Sequence, residues 1–235
     1  MKTNKHVIWD FVSKNQKRFQ ELSDKVWSTP ETCYSEQNSM SAHVDELIYH
    51  GFSVTKGIAN IPTAVVGEYG TDGPIIAFLG EYDALAGLSQ KADVFHQDPV
   101  KKGENGHGCG HNLLGSASMQ AAVALKEWLK DSNLPGVVRY YGCPAEEGGA
   151  AKTFMVRDKI FKDVDVAITW HPGCLPGIVK GSSLANCRVD FTFEGRASHA
   201  AVSPHLGRSA LDAIELMNVG VNYMREHMPL SLIHI

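Results

Sequence analysis

Apolar residues recur at helical spacing along much of the chain, so that they share one face of each predicted helix. The predicted helices cover residues 8–26, 39–50, 112–129, 151–157 and 209–227. Pro30 and Gly51 end the first two helices, since proline and glycine interrupt helical backbone. In the last helix, the side chains expected to face inward are Leu211, Ile214, Met217, Val221 and Met224.

Shorter apolar runs between the helices predict strands. Residues 63–67 and 75–79 are separated by a glycine-containing turn, and residues 137–141 and 164–170 are apolar enough for buried strands. Residues 187–194 alternate between apolar and polar side chains, which is typical of a strand exposed on one face. The alternation of strands and helices predicts an α/β layer fold.

The change of pattern after Gly181 predicts a domain boundary near residues 182–185. About fifty residues follow this boundary, enough for one half-exposed strand and one helix. Such a pair rarely folds alone, so we expect the second domain to be incomplete.

Composition excludes several classes of function. The chain has 22 Lys and Arg against 26 Asp and Glu, a formal net charge of −4, which argues against a nucleic-acid partner. It contains no run of 18 apolar residues and no apolar leader, so neither a membrane-spanning helix nor a secretory signal is predicted. Its five scattered cysteines favour a reducing, cytoplasmic location over a disulfide framework or a structural zinc finger.

Four short segments carry side chains that bind metals. The densest is GHGCGHNLLG at 106–115, where Cys109 and His111 lie two residues apart just before a predicted helix. The other segments follow predicted strands and contribute Glu81 with Asp83, Glu146 with Glu147, and His171. Because parallel strands end along one edge of a sheet, we expect these groups to meet there. Thiolate, imidazole and carboxylate ligands suit Zn²⁺, with Mn²⁺ or Co²⁺ as alternatives, and the set suffices for two ions.

Taken singly, these residues have ordinary explanations. The segment 106–115 lacks the third glycine of a dinucleotide-binding loop and the lysine of a P-loop, so a phosphate site is disfavoured. His171 alone is equally well a hydrogen-bonded core histidine, and Glu146 with Glu147 alone indicates a solvated loop. His107 remains open between a role behind the ligands and a plain loop position.

Together, the segments resemble the M20 family of metallopeptidases and amidohydrolases. The resemblance is carried by LGEYDALAGLSQ (79–90), GENGHGCGHNLLG (103–115), EEGGAAKTFMVRD (146–158) and SPHLGRSALDA (203–213). Cys109 in place of the family's more usual aspartate points to the amidohydrolase branch, subfamily D. The resemblance implies a zinc-peptidase-like α/β catalytic domain with a mixed, largely parallel sheet flanked by helices. It also implies the start of an α+β lid and dimerisation domain.

The resemblance further implies a role for each residue. The implied metal ligands are Cys109, His111, Glu147 and His171, holding Mn²⁺ or Zn²⁺ with two ions in a complete site. Glu146 matches the general base, Asp83 matches the aspartate that orients the site, and His199 matches a lid histidine that stabilises the oxyanion. Glu81 stands where other branches have a ligating histidine. His205 is a weaker candidate, and a loop histidine that caps the next helix is the favoured interpretation.

The implied activity is metal-dependent hydrolysis of a small-molecule amide, namely p-aminobenzoyl-glutamate, a folate breakdown product, to p-aminobenzoate and glutamate. A dipeptidase or an N-acyl-amino-acid hydrolase is the alternative within this class. A non-catalytic or inactive fragment, or a partner subunit, is the alternative of another class. The resemblance implies a homodimer or pairing with a related subunit. The net charge and the lack of a long apolar run predict no nucleic-acid and no membrane partner.

Compared with this family, residues 1–183 are expected to be the N-terminal part of the catalytic domain and residues 184–228 the beginning of the lid domain. The last residues, 229–235, do not resemble the family and are predicted to be a non-native tail. The chain is therefore expected to be truncated at its C-terminus, without a last ligating histidine, and inactive or poorly folded alone.

Overall fold

The structure is a computed structural model that describes residues 4–178, 181–182 and 185–229. The chain divides into two compact units, Met1–Pro176 and Gly177–Ile235. The predicted boundary falls partly on residues 183 and 184, which lie outside the described residues, as do residues 230–235 of the predicted tail.

All five predicted helices are present, with limits that shift by a few residues. The helices are α1 (Asn4–Trp27), α2 (Gln37–Tyr49), α3 (His111–Asp131), α4 (Glu146–Gly149), α5 (Ala151–Arg157) and α6 (Ala210–Met224). Helix α4 is a single turn and was not predicted, because four residues are too few to show a helical period. Within the described part of the chain, no helix is both long and apolar enough to span a bilayer.

The first unit contains a five-stranded mixed sheet in the order β1-β2-β4-β3-β5. Its strands are β1 (Ser53–Lys56), β2 (Val65–Tyr69), β3 (Ile75–Glu81), β4 (Val137–Cys143) and β5 (Val166–Ile168). Strand β3 pairs in parallel with β4 and β5, whereas β2 pairs antiparallel with β1 and β4. Strands β2 and β3 are consecutive in sequence, but β4 lies between them in the sheet. Strand β4 begins at Val137, 56 positions after β3 ends at Glu81.

Alternating side chains of the central strand β4 face two different hydrophobic clusters. Val138 and Tyr140 pack in one cluster with residues of α1 and α3, such as Phe19 and Met119. Tyr141 and Cys143 pack in a second cluster on the opposite face, with Met155 and other residues near α5. Each fully buried large apolar side chain contributes roughly 1.5–3 kcal/mol of transfer free energy, so both faces stabilise this strand. Helices therefore flank the sheet on both sides, as an α/β fold requires.

Residues 164–170 were predicted to form a buried strand, and the prediction of burial was wrong. A strand forms at Val166–Ile168, but Val166 is 49% exposed and Ile168 is 44% exposed. The reason is that β5 is an edge strand, with a neighbour on one side only in the described sheet.

In the second unit, two predictions were wrong. Residues 187–194 form no strand in the described part of the chain, because an alternating pattern needs a hydrogen-bonding neighbour to become a strand. The predicted inward face of α6 is uncovered, with Leu211 64% exposed and Met224 61% exposed. The helix predicted from the apolar spacing was correct, since α6 forms. Ser209 caps α6 by accepting the Asp212 N–H at 3.0 Å.

Candidate metal centre

The ends of three parallel strands bring the predicted site residues of the first unit together. Glu81 is the last residue of β3, and Glu146 and Glu147 follow β4 in the single turn of α4. His111 is the first residue of α3, and His171 follows β5. Parallel strands expose their carboxyl ends at one edge, which explains why residues up to 90 positions apart, from Glu81 to His171, meet here.

His111 is fully buried at the middle of the cluster. Its Nδ1 lies 2.9 Å from Asp83 Oδ1 and 3.0 Å from the Asp83 carbonyl oxygen, so the Nδ1–H donates to Asp83. Its Nε2 lies 3.0 Å from Glu81 Oε2 and 3.9 Å from a carboxylate oxygen of both Glu146 and Glu147. Asp83 thus holds the imidazole with Nε2 facing three carboxylates, which is how metal-binding histidines are oriented.

Cys109 and His171 form the other side of the cluster. Cys109 Sγ lies 3.2 Å from His171 Nε2, and the rings of His171 and His111 meet edge to face at 5.9 Å between centroids. The ligand atoms of Cys109, His111 and His171 all lie within 4.8 Å of one another. The same is true of Glu81, His111 and Glu146, so His111 belongs to two adjoining ligand groups.

Three ligand atoms of this cluster make no hydrogen bond with the described residues, although two of them, His111 Nε2 and Glu81 Oε2, lie 3.0 Å apart. Glu81 Oε2, His111 Nε2 and Glu147 Oε1 are buried and accept or donate no hydrogen bond among the described residues. Each such atom costs about 1–3 kcal/mol when it remains unsatisfied. Carboxylate, imidazole and thiol groups that face one another are the ligands of Zn²⁺ and related divalent ions. The residues present therefore fit a metal site.

The charges of the cluster point to the same conclusion. Burial, followed by the adjacent Glu147 carboxylate, raises the pKa of the Cys109 thiol to about 12. Burial and the charge of Glu81 raise the pKa of Glu146 above its usual value. Burial opposes ionisation of Asp83, but the hydrogen bonds from His111 and from the Glu147 N–H outweigh it and lower the pKa of Asp83. A divalent cation would offset the repulsion among these anions and favour the Cys109 thiolate.

Lys152 is a member of the cluster that the sequence motifs did not single out. It lies in α5, and its ammonium group pairs with Glu81 Oε1. Burial lowers the pKa of Lys152, but nearby groups, including the Glu81 carboxylate, outweigh that effect and raise it. The available signal was a lone basic residue five positions after Glu147 within an acidic and glycine-rich motif.

Three other candidate histidines, His107, His199 and His205, are not among the ligand groups of the first unit. His107 Nε2 donates to the Val26 carbonyl at 3.1 Å, which favours a structural role behind the ligands. His199 lies in the second unit, where its Nδ1 accepts the Ala201 N–H at 3.2 Å. His205 is exposed in a short 3₁₀ turn and does not cap α6, since Ser209 does.

This arrangement of ligands at the strand ends can be compared with known proteins. Residues 77–233 match Peptidase family M20/M25/M40. The chain belongs to this family. The membership predicted from the motifs around Asp83, Cys109 and Glu147 is therefore confirmed.

Relatives of this M20 chain cover most of its length. It is 50% identical over 221 residues to one of the subunits of the p-aminobenzoyl-glutamate hydrolase of Escherichia coli (strain K12), an alignment covering 94% of this chain and 46% of that protein. It is 30% identical over 239 residues to the Xaa-Arg dipeptidase of Mus musculus, covering 92% of this chain and 49% of that protein. The chain thus spans about half the length of the curated relatives that it matches.

A solved structure confirms the fold. The M20 chain superposes on a Bacillus subtilis protein, described as a dinuclear metal binding peptidase from M20 family, with a TM-score of 0.55 at 22% sequence identity. The superposition covers 66% of this chain and 42% of that protein. At this level of identity, the match establishes a shared α/β architecture with a mixed sheet and flanking helices.

Proposed function

We propose that this chain is part of a metal-dependent amidohydrolase that cleaves p-aminobenzoyl-glutamate to p-aminobenzoate and glutamate. The observation that carries the proposal is the convergence of unpartnered buried atoms from Glu81, His111 and Glu147 beside the Cys109–His171 pair. The substrate is proposed because a 50% identical relative is named as a hydrolase of this compound.

The proposed ligands are Cys109, His111, Glu147 and His171, with two ions in a complete site. Possible ligands lie on both sides of His111, with Cys109 and His171 on one side and Glu81 and Glu146 on the other, and this supports a pair of ions of which His111 Nε2 would bind one. Mn²⁺ or Zn²⁺ suits these thiolate, imidazole and carboxylate donors. When bound, such ions polarise an amide carbonyl and lower the pKa of water toward about 7. Asp83 contributes by holding the His111 ring through its Nδ1–H.

Glu146 is the proposed general base. Its side chain is 42% exposed and its oxygen lies 3.9 Å from His111 Nε2, so it is both at the cluster and open to a substrate. The raised pKa of its carboxyl brings it closer to neutral pH, which favours taking a proton from water and passing it to the leaving amide nitrogen. The proposed donor to the developing oxyanion is His199, a role that rests on the family resemblance.

Two other functions have specific support. The 30% identical Xaa-Arg dipeptidase favours a dipeptidase, and an N-acyl-amino-acid hydrolase would use the same residues. The 50% identical relative is one subunit of its enzyme, which favours pairing with a related subunit, or with a second copy of this chain, and allows a non-catalytic role. The free state of all five cysteines supports a cytoplasmic setting for this proposal.

The test is an amide-hydrolysis assay of the full chain, supplied with Mn²⁺ or Zn²⁺. We expect the chain, alone or together with a related subunit, to release p-aminobenzoate from p-aminobenzoyl-glutamate, and we expect this activity to be lost on chelation with EDTA and restored by the metal. Activity on dipeptides without activity on the aminobenzoyl amide would instead establish the dipeptidase. Tight metal binding with no hydrolysis of either substrate, alone or with a related subunit, would support the non-catalytic role.

A further inference from the structure

The residues between α1 and α2, here named the connector (28–36), contact each loop that carries the acidic groups of the centre. The Glu31 carbonyl accepts the Ala84 N–H at 2.8 Å, directly after Asp83. The Pro30 carbonyl accepts a hydrogen bond from the Asn105 side chain at 3.1 Å, directly before the segment 106–115 that contains Cys109 and His111. The connector therefore bonds to two of the loops that build the centre.

Its third set of contacts is with the turn that bears Glu146 and Glu147. Glu36 Oε1 accepts the Ala145 N–H at 2.9 Å, on one side of the two glutamates. The Tyr34 hydroxyl donates to the Gly149 carbonyl at 2.6 Å, on the other side. The connector thus holds this turn at both ends.

The turn needs such support because its backbone is strained at both ends. Ala145 has φ 55° and Ala150 has φ 48°, values in the left-handed region that residues with a Cβ rarely adopt. Strained positions of this kind persist only where surrounding contacts fix them. The direction in which Glu146 and Glu147 leave the turn depends on the conformation at Ala145, so a bond to the Ala145 N–H controls both side chains.

The burial and hydrogen bonds of Glu36 suit it to hold the Ala145 backbone in place. It is fully buried, and the same Oε1 also accepts the Tyr34 N–H at 2.9 Å. Its other oxygen, Oε2, is buried and makes no hydrogen bond with the described residues, so the two backbone N–H groups at Oε1 are the contacts that offset the cost of burying this carboxyl group. Its partner Ala145 is 109 positions away in the sequence, so this bond contributes nothing to the local structure of α2.

We propose that Glu36 is a positioning residue, which holds the Ala145 backbone so that Glu146 and Glu147 face the metal centre. Tyr34 supports the same turn from its far end. This inference rests on the proposed roles of Glu146 and Glu147, and it assigns Glu36 no contact with substrate or metal.

The test compares Glu36→Gln with Glu36→Leu in the full chain. Glutamine keeps an acceptor oxygen at nearly the same place, whereas leucine fills the space and accepts nothing. In the leucine variant we expect kcat to fall about 100-fold with a smaller change in KM, as expected for misplaced reacting groups. We expect its Mn²⁺ affinity, measured by calorimetry, to fall about 10- to 100-fold, and the glutamine variant to stay within about threefold of the parent.

A second readout does not depend on catalysis. Hydrogen exchange of the peptide covering residues 144–150 is expected to be at least about tenfold faster in Glu36→Leu than in Glu36→Gln. If the unmodified chain hydrolyses no amide, alone or with a related subunit, the proposed function fails, while exchange and metal affinity still decide the role of Glu36. A folded leucine variant with parental exchange and metal affinity overturns the inference, as does a glutamine variant that loses as much as leucine.

If the leucine variant does not fold, Tyr34→Phe tests whether the connector holds the turn that bears Glu146 and Glu147. Tyr34 is 43% exposed, so loss of its hydroxyl leaves the core intact and removes only the bond to Gly149. We expect exchange in residues 144–150 to rise about three- to tenfold, with lower Mn²⁺ affinity. Parental values for both measurements would contradict the inference.

Discussion

Glu146 and Glu147 are adjacent in sequence, yet they occupy different environments. The Glu147 side chain is 22% exposed, and its backbone N–H donates to Asp83 Oδ2 at 2.9 Å, which ties it to the centre. The Glu146 side chain is 42% exposed and has no such backbone tie among the described contacts. This difference supports the proposal that Glu147 binds an ion and that Glu146 exchanges protons with a substrate.

The first prediction at this scale concerns Glu146→Gln. The amide is close in shape but accepts no proton, so kcat is expected to fall at least about 100-fold while metal affinity stays within about threefold. The measurements are steady-state kinetics and metal calorimetry on the same preparation. Glu21→Gln, on the exposed face of α1, is the matched control and should behave as the parent. Parental turnover in Glu146→Gln would remove this residue from its proposed role.

The second prediction concerns Cys109→Ala. Loss of the Sγ atom that faces His171 is expected to weaken Mn²⁺ or Zn²⁺ binding at least about tenfold, because one ligand of the set is missing. Calorimetry and metal content after dialysis measure the effect. Cys187→Ala provides the control, since Cys187 is exposed in the second unit. Equal metal affinity and stoichiometry in the two variants would contradict the assignment of Cys109 as a ligand.

At the scale of elements, the centre depends on how closely α3 approaches the end of β3. Gly115 marks the contact: a Cβ built there would lie 2.4 Å from the Glu81 carbonyl oxygen and 2.8 Å from His43 Nε2. Only a residue without a side chain allows this approach. The approach matters because it brings His111, one turn earlier in α3, against Glu81.

Gly115→Ala is therefore expected to push α3 away from β3. We expect a loss of about 1–3 kcal/mol in the free energy of unfolding, as for other overpacked sites, together with weaker metal binding. Urea denaturation and calorimetry measure the two effects. Gly220→Ala in α6 is the control, since no atom lies within 4 Å of its added Cβ, and it should raise helix stability by roughly 0.5–1 kcal/mol. Equal effects of the two substitutions would contradict the argument.

At the scale of the whole molecule, the buried histidine His43 links stability to pH. It is fully buried, its Nδ1–H donates to the Ser39 carbonyl at 2.9 Å, and its Nε2 has no partner among the described residues. Burial lowers the pKa of His43 from 6.5 to about 4, outweighing the opposing effects of the Ser39 bond and the Glu46 charge. The native state therefore holds this imidazole neutral in the range where the unfolded chain protonates it.

The sign of the pH dependence follows from that difference. The unfolded state binds the proton more tightly than the native state does. The contribution of His43 to the free energy of unfolding is therefore fully present above pH 6.5 and is lost as the pH falls toward 4. The loss is on the order of 3 kcal/mol. Urea denaturation at pH 7 and at pH 4.5 should show a smaller decrease for His43→Gln than for the parent. His205→Gln, at an exposed site, should keep the parental decrease, and the same decrease in all three proteins would contradict the prediction.

The positions of the helices and the family were accessible from the sequence, because both depend on local information. Helical periods predicted each helix longer than one turn, and the short motifs around Cys109 and Glu147 were enough for the family. The carboxyl ends of β3 and β4 were correctly expected to bring Glu81 and Glu146 together. A period and a motif are properties of neighbouring residues, and neighbours in sequence stay neighbours in any fold.

Only the tertiary structure decided which distant groups share a hydrogen bond and which faces are covered. The sequence pattern did not place β4 between β2 and β3, and it did not pair Lys152 with Glu81 or Glu36 with Ala145. It also predicted burial for the edge strand β5 and for one face of α6, which are exposed. Apolar spacing records which side of an element is suited to burial, whereas burial itself requires another element to pack against that side.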